Sequence, residues 1–244
     1  MRGVKGFRLG GGDAGMGGMV ILPDGTSVSL RRTARARRMT LRVSRRDGTV
    51  TLTLPPRLPE AEALAFLDDR RDWLARALQG IEPPRLVAFG AAVPVEGRPL
   101  LLTPAPVRAP RIDGETLLLP RARPAAVTAA AFLRTLAQAR LAEASDRHAR
   151  ALGRRFTALA LRDTRSRWGS CTHEGRLMYS WRLAMAPPEV LDYVAAHEVA
   201  HLAHMDHSPA FWGAVGRLFP GYERQRQWLR QHGGSLHAWR FREA

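Results

Sequence analysis

An α+β fold, a small β-rich N-terminal region followed by a helical C-terminal domain, is predicted by three features of the sequence. Short runs that alternate apolar and polar residues, punctuated by glycine and proline, occupy the chain to about residue 120. An Ala-rich stretch of helical period follows, and beyond it a second helical stretch carries two histidines four residues apart. With 244 residues, 45% of them hydrophobic, the chain can bury a substantial core in one or two domains.

Residues 1–18 contain eight glycines and little that can pack, which predicts a flexible arm. Residues 19–122 form the β-rich domain. Within it Met39, Leu41 and Val43 alternate with polar residues, Asp47-Gly48 turns the chain, and Val50, Leu52 and Leu54 alternate with threonines, so this stretch reads as a β-hairpin. Pro59 opens a helix to about Gln79, with Leu64, Leu67, Trp73, Leu74 and Leu78 at helical spacing and Gly80 as its cap. Small strands follow at Arg98 to Thr103 and Thr116 to Leu119.

Residues 123–244 form the second domain. A long helix runs from about Pro124 to Leu152 and stops at Gly153. Phe156 to Arg162 and Leu177 to Leu183 read as strand and hairpin around a turn at His173-Glu174-Gly175. Pro187-Pro188-Glu189 starts the next helix, Ser208-Pro209 caps and opens another, and a last helix spans about Tyr222 to Gln231.

Composition narrows the setting. No apolar run approaches the roughly 20 residues of a membrane span, and the single cysteine, Cys171, makes no intrachain disulfide, so a reducing cytoplasmic location is expected. The net charge of +16 admits an anionic partner, a nucleotide or nucleic acid, but 37 of the 38 basic residues are arginine, which reads as a bias of the whole surface.

The informative motif is His197-Glu198-Val199-Ala200-His201. On a helix, residues four apart share one face, so both imidazoles can hold one ion, while Glu198 is rotated by roughly 100° and can act as general base without being a ligand. A catalytic zinc site needs a third protein ligand. His207 lies ten residues after His197, the spacing of an extended zinc-binding pattern, and is preferred. That pattern has glycine where this chain has His204, so Asp206, which tolerates left-handed backbone, is expected to make the turn. His204 and Glu223 are the alternative third ligands. Phe211, Trp212, Val215, Leu218 and Phe219 read as core.

The segments Arg167-Trp168-Gly169-Ser170-Cys171, Trp181-Arg182-Leu183, Tyr193-Val194 before the histidine motif, and His207-Ser208 with Phe211-Trp212 resemble the YgjP-like metal-dependent hydrolases, zinc metallopeptidases akin to the WLM and SprT-like proteins. The Arg-rich stretch at Arg35 to Arg42, Pro55 and the helix with Trp73 extend the resemblance into the N-terminal half. It implies a zincin-like catalytic domain, Zn2+ held by His197, His201 and His207, a catalytic Glu198, and a peptide or protein substrate. In such folds the strand before the metal helix commonly holds the substrate. Here that stretch carries Arg165 and Arg167, which fit an oxyanion or phosphate contact as well as an ordinary arginine-rich surface. Trp168 and Cys171 are read as packing behind the site.

Two further functions remain open on sequence alone. One is hydrolysis of nucleoside triphosphates or another small phosphate ester, suggested by the charge. The other is a nucleic-acid-associated protease, suggested by eight arginines between Arg31 and Arg46, which a solvated strand edge also explains.

Overall fold

The computed structural model describes residues 8–10, 17–44, 48–79 and 84–241. The chain forms two compact units divided between Pro83 and Pro84.

The first unit is a five-stranded sheet of β1 (Arg8–Gly10), β2 (Gly17–Ile21), β3 (Ser27–Arg32), β4 (Thr40–Val43) and β5 (Val50–Leu54), in the order β1-β2-β3-β5-β4. The expected hairpin is present as antiparallel β4 and β5, with Leu41 opposite Leu52, while β3 and β5 run parallel. Gly48 has a φ of +64°, as the turn requires; Asp47 lies outside the described residues. Part of the Gly-rich arm corrects the sequence reading, because Arg8–Gly10 and Gly17 join the sheet. Strand pairing uses backbone donors and acceptors, so glycine-rich segments can add to an edge without packing a side chain. Residues 1–7 and 11–16 lie outside the described residues.

The expected helix divides at Arg70 into α1 (Glu60–Asp69) and α2 (Arg71–Leu78). Ala63, Leu67 and Leu74 share a core with Val28, Val50, Leu52 and Leu54. Trp73 is 41% exposed, contrary to its place in the helical pattern, and Gly80 lies outside the described residues. Arg32 is spent on structure: its Nη1 donates to the carbonyls of Pro55, Pro56 and Leu58 at 3.3, 3.2 and 2.8 Å.

The second unit begins well before the expected boundary at 122. After β6 (Arg85–Leu86), strands β7 (Ala92–Val95), β8 (Arg98–Ala105), β9 (Arg111–Asp113) and β10 (Thr116–Pro120) form a sheet ordered β7-β8-β10-β9. Its inward residues Val93, Val95, Leu100, Leu102, Leu117 and Leu119 belong to one core with Ala129, Leu133 and Leu141 of α3 (Ala125–Leu152). The sequence reading places strands at Arg98 to Thr103 and Thr116 to Leu119 but not the core they face, which displaced the boundary. The β7–β8 turn has positive φ at Glu96 and Gly97, suiting the twist of a tight hairpin. Both its N–H groups donate onward, to the carbonyls of Ala184 and Met185.

Helix α3 ends as expected at Gly153, which takes a left-handed conformation with φ of 67°. Strands β11 (Ala158–Arg162), β12 (Gly169–Cys171) and β13 (Arg176–Ser180) then form a sheet ordered β11-β13-β12, leaving β12 at its edge. A 3₁₀ turn (Trp181–Met185) leads to α4 (Pro188–Ala200), α5 (Pro209–Leu218) and α6 (Glu223–Ala238), and β14 (Trp239–Arg240) returns to pair with β6. The last helix runs past the expected Gln231 to Ala238. No helix among the described residues is long and apolar enough to cross a membrane.

Candidate metal centre

Helix α4 positions the site and is itself tightly held. Pro188 occupies its first turn, where no intrahelical donor is lost, and Val190, Leu191, Val194, Ala195 and Val199 bury it in the core. Asp192, a charged residue in this apolar run, faces α3. Its Oδ1 accepts from Arg147 at 2.6 Å and lies 2.7 Å from His148 Nε2. Burial works against the charged form, but these two partners hold the Asp192 carboxyl below its usual range.

His197, His201 and His207 converge, with ligand atoms that all lie within 4.8 Å of one another. Nε2 of His197 and of His207 are 3.2 Å apart. Two nitrogens bound to one tetrahedral zinc at roughly 2.0 to 2.1 Å stand about 3.3 Å apart, so the pair is spaced for a shared ion. His201 points Nδ1 at the carbonyl of His204, 2.9 Å away, which places the proton on Nδ1 and leaves Nε2 free as a ligand. Burial, then the neighbouring His201 and His207, push His197 down to about 3. His201 is also lowered, chiefly by burial. Neutral imidazoles are the metal-binding form, so donor set, spacing and protonation all fit a divalent cation.

Packing sets the rings. Phe211 stacks on His201 with centroids 4.4 Å apart and meets His197 and His207 edge-on at 4.9 and 4.8 Å. Nδ1 of His197 is buried without a hydrogen-bond partner, and Tyr193, Phe211 and Trp212 pack against that ring beside the other two imidazoles. Phe211 is core, as its pattern predicts, and it is also the floor of the triad.

The α4–α5 connection delivers His207. The helix stops at Ala200, and Ser208 caps α5 by accepting the Phe211 N–H. Asp206 does not adopt the left-handed backbone expected of it, since Glu96 is the only non-glycine with positive φ among the described residues. Instead its Oδ1 accepts the Ser208 N–H at 3.3 Å, turning the chain through its side chain. His204 supplies its carbonyl to His201, and Glu223 is exposed at the start of α6; neither belongs to the metal-ligand group found among the described residues.

Glu198 is 5% exposed. Burial pushes its carboxyl up to about 8, and the charge of Arg167 pulls it back in part. The edge strand β12 lies directly on this carboxylate: a Cβ built on Gly169 would stand 2.5 Å from Glu198 Cγ and Oε1. Sequence reasoning gave Gly169 no role, although glycine inside a strand often marks a close approach. Arg165 and Arg167 sit exposed in the loop before β12, and the charge of Arg167 is felt at Glu198. Trp168 stacks on His237 at 4.8 Å and packs against Gly233 of α6. The Cys171 thiol, pushed up to about 11 by burial and then by Glu198, stays protonated and is not in the ligand group.

The YgjP-like metallopeptidase domain matches residues 37–232 of this chain. Among solved structures the chain is similar to the metallopeptidase zymogen of Pyrococcus abyssi abylysin, at 23% identity over 36% of this chain and 86% of that one, with a TM-score of 0.32. No curated protein matches it. The family match covers far more than half of the sequence, His triad included, and the chain therefore belongs to the YgjP-like metallopeptidase family.

Proposed function

We propose that this chain is a zinc-dependent peptidase in which His197, His201 and His207 hold the ion and Glu198 is the general base. The observation that carries this reading is the convergence of three imidazoles around a helix that also bears a buried carboxylate. A zinc ion on three imidazoles supplies Lewis acidity toward water and a carbonyl oxygen. Glu198, poorly solvated and therefore basic, accepts the proton as water adds to the peptide carbonyl and returns it to the departing amine. The edge strand β12 offers backbone groups to an extended peptide beside that carboxylate. Nucleotide and nucleic-acid partners find no support in the family assignment.

The test is zinc-loaded protein incubated with a mixed pool of peptides and nucleoside triphosphates, read by mass spectrometry with and without chelator. Chelator-sensitive peptide cleavage is the expected result; loss of triphosphates alone would replace the peptidase reading. In His207→Ala, zinc affinity measured by competition with a chromophoric chelator should fall by more than the roughly 10- to 100-fold that outer-shell changes produce. Unchanged affinity would remove His207 from the ligand set.

Gly169→Ala tests the strand contact. The new methyl must displace either β12 or the Glu198 side chain, and a misplacement of about 1 Å can lower kcat roughly 10²-fold. Zinc content should stay at the wild-type level. An unchanged kcat would show that the strand yields at no functional cost.

A further inference from the structure

Next to the triad the surface is indented by a groove of about 550 Å³. Its walls include His201 and Leu202 at the end of α4, His173 and Glu174 in the β12–β13 turn, and Arg154 and Arg155 just beyond α3. The walls are fastened together. Thr157 donates through its N–H to the Gly175 carbonyl at 2.9 Å and through its hydroxyl to the Glu174 carbonyl at 2.8 Å, and Gly175 N–H closes the turn on Thr172. Arg154 and Arg155 are exposed, and neither makes a side-chain hydrogen bond or ion pair among the described residues. Glu174 is the opposing charge in this lining, so the groove carries two guanidinium groups against one carboxylate.

The direction of β12 connects this groove to the reaction. A peptide laid along the edge from Gly169, at Glu198, reaches Cys171 and then the turn at Thr172 that forms the groove wall. We infer that the groove is a subsite for a carboxylate carried by the peptide substrate, gripped by Arg154 and Arg155, so that the enzyme selects peptides that present a carboxylate there. This rests on the peptidase reading above and deepens it. Guanidinium groups without internal partners keep their planar donor forks available to a carboxylate, the geometry for which arginine is suited. The carboxylate has two sources, an acidic side chain or the free C-terminus of the substrate.

The experiment uses matched peptides: an internal Glu with an amidated C-terminus, the Gln counterpart with an amidated C-terminus, and the Gln counterpart with a free C-terminus. The Glu position is scanned along the sequence. Cleavage by zinc-loaded wild-type protein is followed by mass spectrometry, and binding to zinc-loaded Glu198→Gln is followed by fluorescence anisotropy. The expected result is at least a tenfold preference, in kcat/KM and in Kd, for one carboxylate-bearing peptide over the doubly neutral one. Arg154→Glu/Arg155→Glu should abolish that preference and favour a Lys-containing peptide.

Preference for the internal Glu identifies an acidic side chain as the ligand; preference for the free terminus identifies the substrate's end. Equal treatment of all three peptides, or a preference that survives the charge reversal, overturns the subsite. Binding preference without any cleavage by the wild type would leave the groove standing and sink the peptidase reading. Cleavage without preference would do the reverse.

Discussion

Glu198→Gln should lower kcat for peptide cleavage by about 10²- to 10⁴-fold, the range that a positioned general base contributes. The amide keeps the size and most of the packing of the carboxylate beneath Gly169, so the strand above it need not move. What it removes is the ability to take a proton. Zinc content should be unaffected, because Glu198 is not in the ligand group, and KM should change far less than kcat. Stability should not fall. Burial raises the Glu198 pKa, so ionisation is less favourable in the folded chain than in the unfolded one: this carboxyl costs stability progressively as pH rises from the ordinary carboxylate range to about 8, and the full penalty stands above that. The uncharged amide escapes that penalty. Metal content, steady-state kinetics and urea unfolding on the same preparation check all three statements. A kcat within threefold of wild type would take the proton-transfer role away from Glu198.

Much of this site was legible in the sequence because its information is local. The spacing of His197 and His201 on a helix, the Ser208-Pro209 start of α5 and the Gly153 stop of α3 each depend on neighbours a few residues away, and the structure contains all three. That His207 returns to the two helix histidines was legible through its spacing, since the short α4–α5 connection leaves it little freedom. What escaped were contacts made over long sequence distance. Gly169 meets Glu198 across 29 positions, and Asp192 meets Arg147 and His148 across more than 40. Each left a local trace, Asp192 as a charge inside the apolar run of α4 and Gly169 as a glycine inside a strand, but neither trace names its partner. The displaced domain boundary has the same origin, because the alternating residues of β7, β8 and β10 say that one face is buried and not that α3 is what buries it.

Arg182 is the extreme case of such a contact, and its replacement carries the largest expected effect on stability. It is 7% exposed. Nε and Nη2 donate to the two carboxylate oxygens of Asp163 at 2.7 and 3.4 Å, and Nη1 donates to the carbonyls of Leu236 and Trp239 at 2.9 and 3.0 Å. The guanidinium also lies over the rings of Trp181 and Phe241, at 4.9 and 5.5 Å from their centroids. One side chain thus joins the end of β11, the 3₁₀ turn that leads into α4, and the end of α6, whose His237 backs Trp168. Removing one partner of a buried ion pair costs about 3 to 5 kcal/mol. Asp163 is half-exposed and can be rehydrated, which places Arg182→Ala near the lower end, about 3 kcal/mol. Arg182→Lys should recover little of this, because a single ammonium cannot reach both carboxylate oxygens and two carbonyls in one plane. Asp163→Asn should cost less than Arg182→Ala, since it leaves both carbonyl bonds intact. Urea unfolding followed by tryptophan fluorescence reports on this unit, as five of the six tryptophans lie in it. A loss below about 1 kcal/mol in Arg182→Ala would place Arg182 among the weak surface pairs and deny it the role of joining these elements.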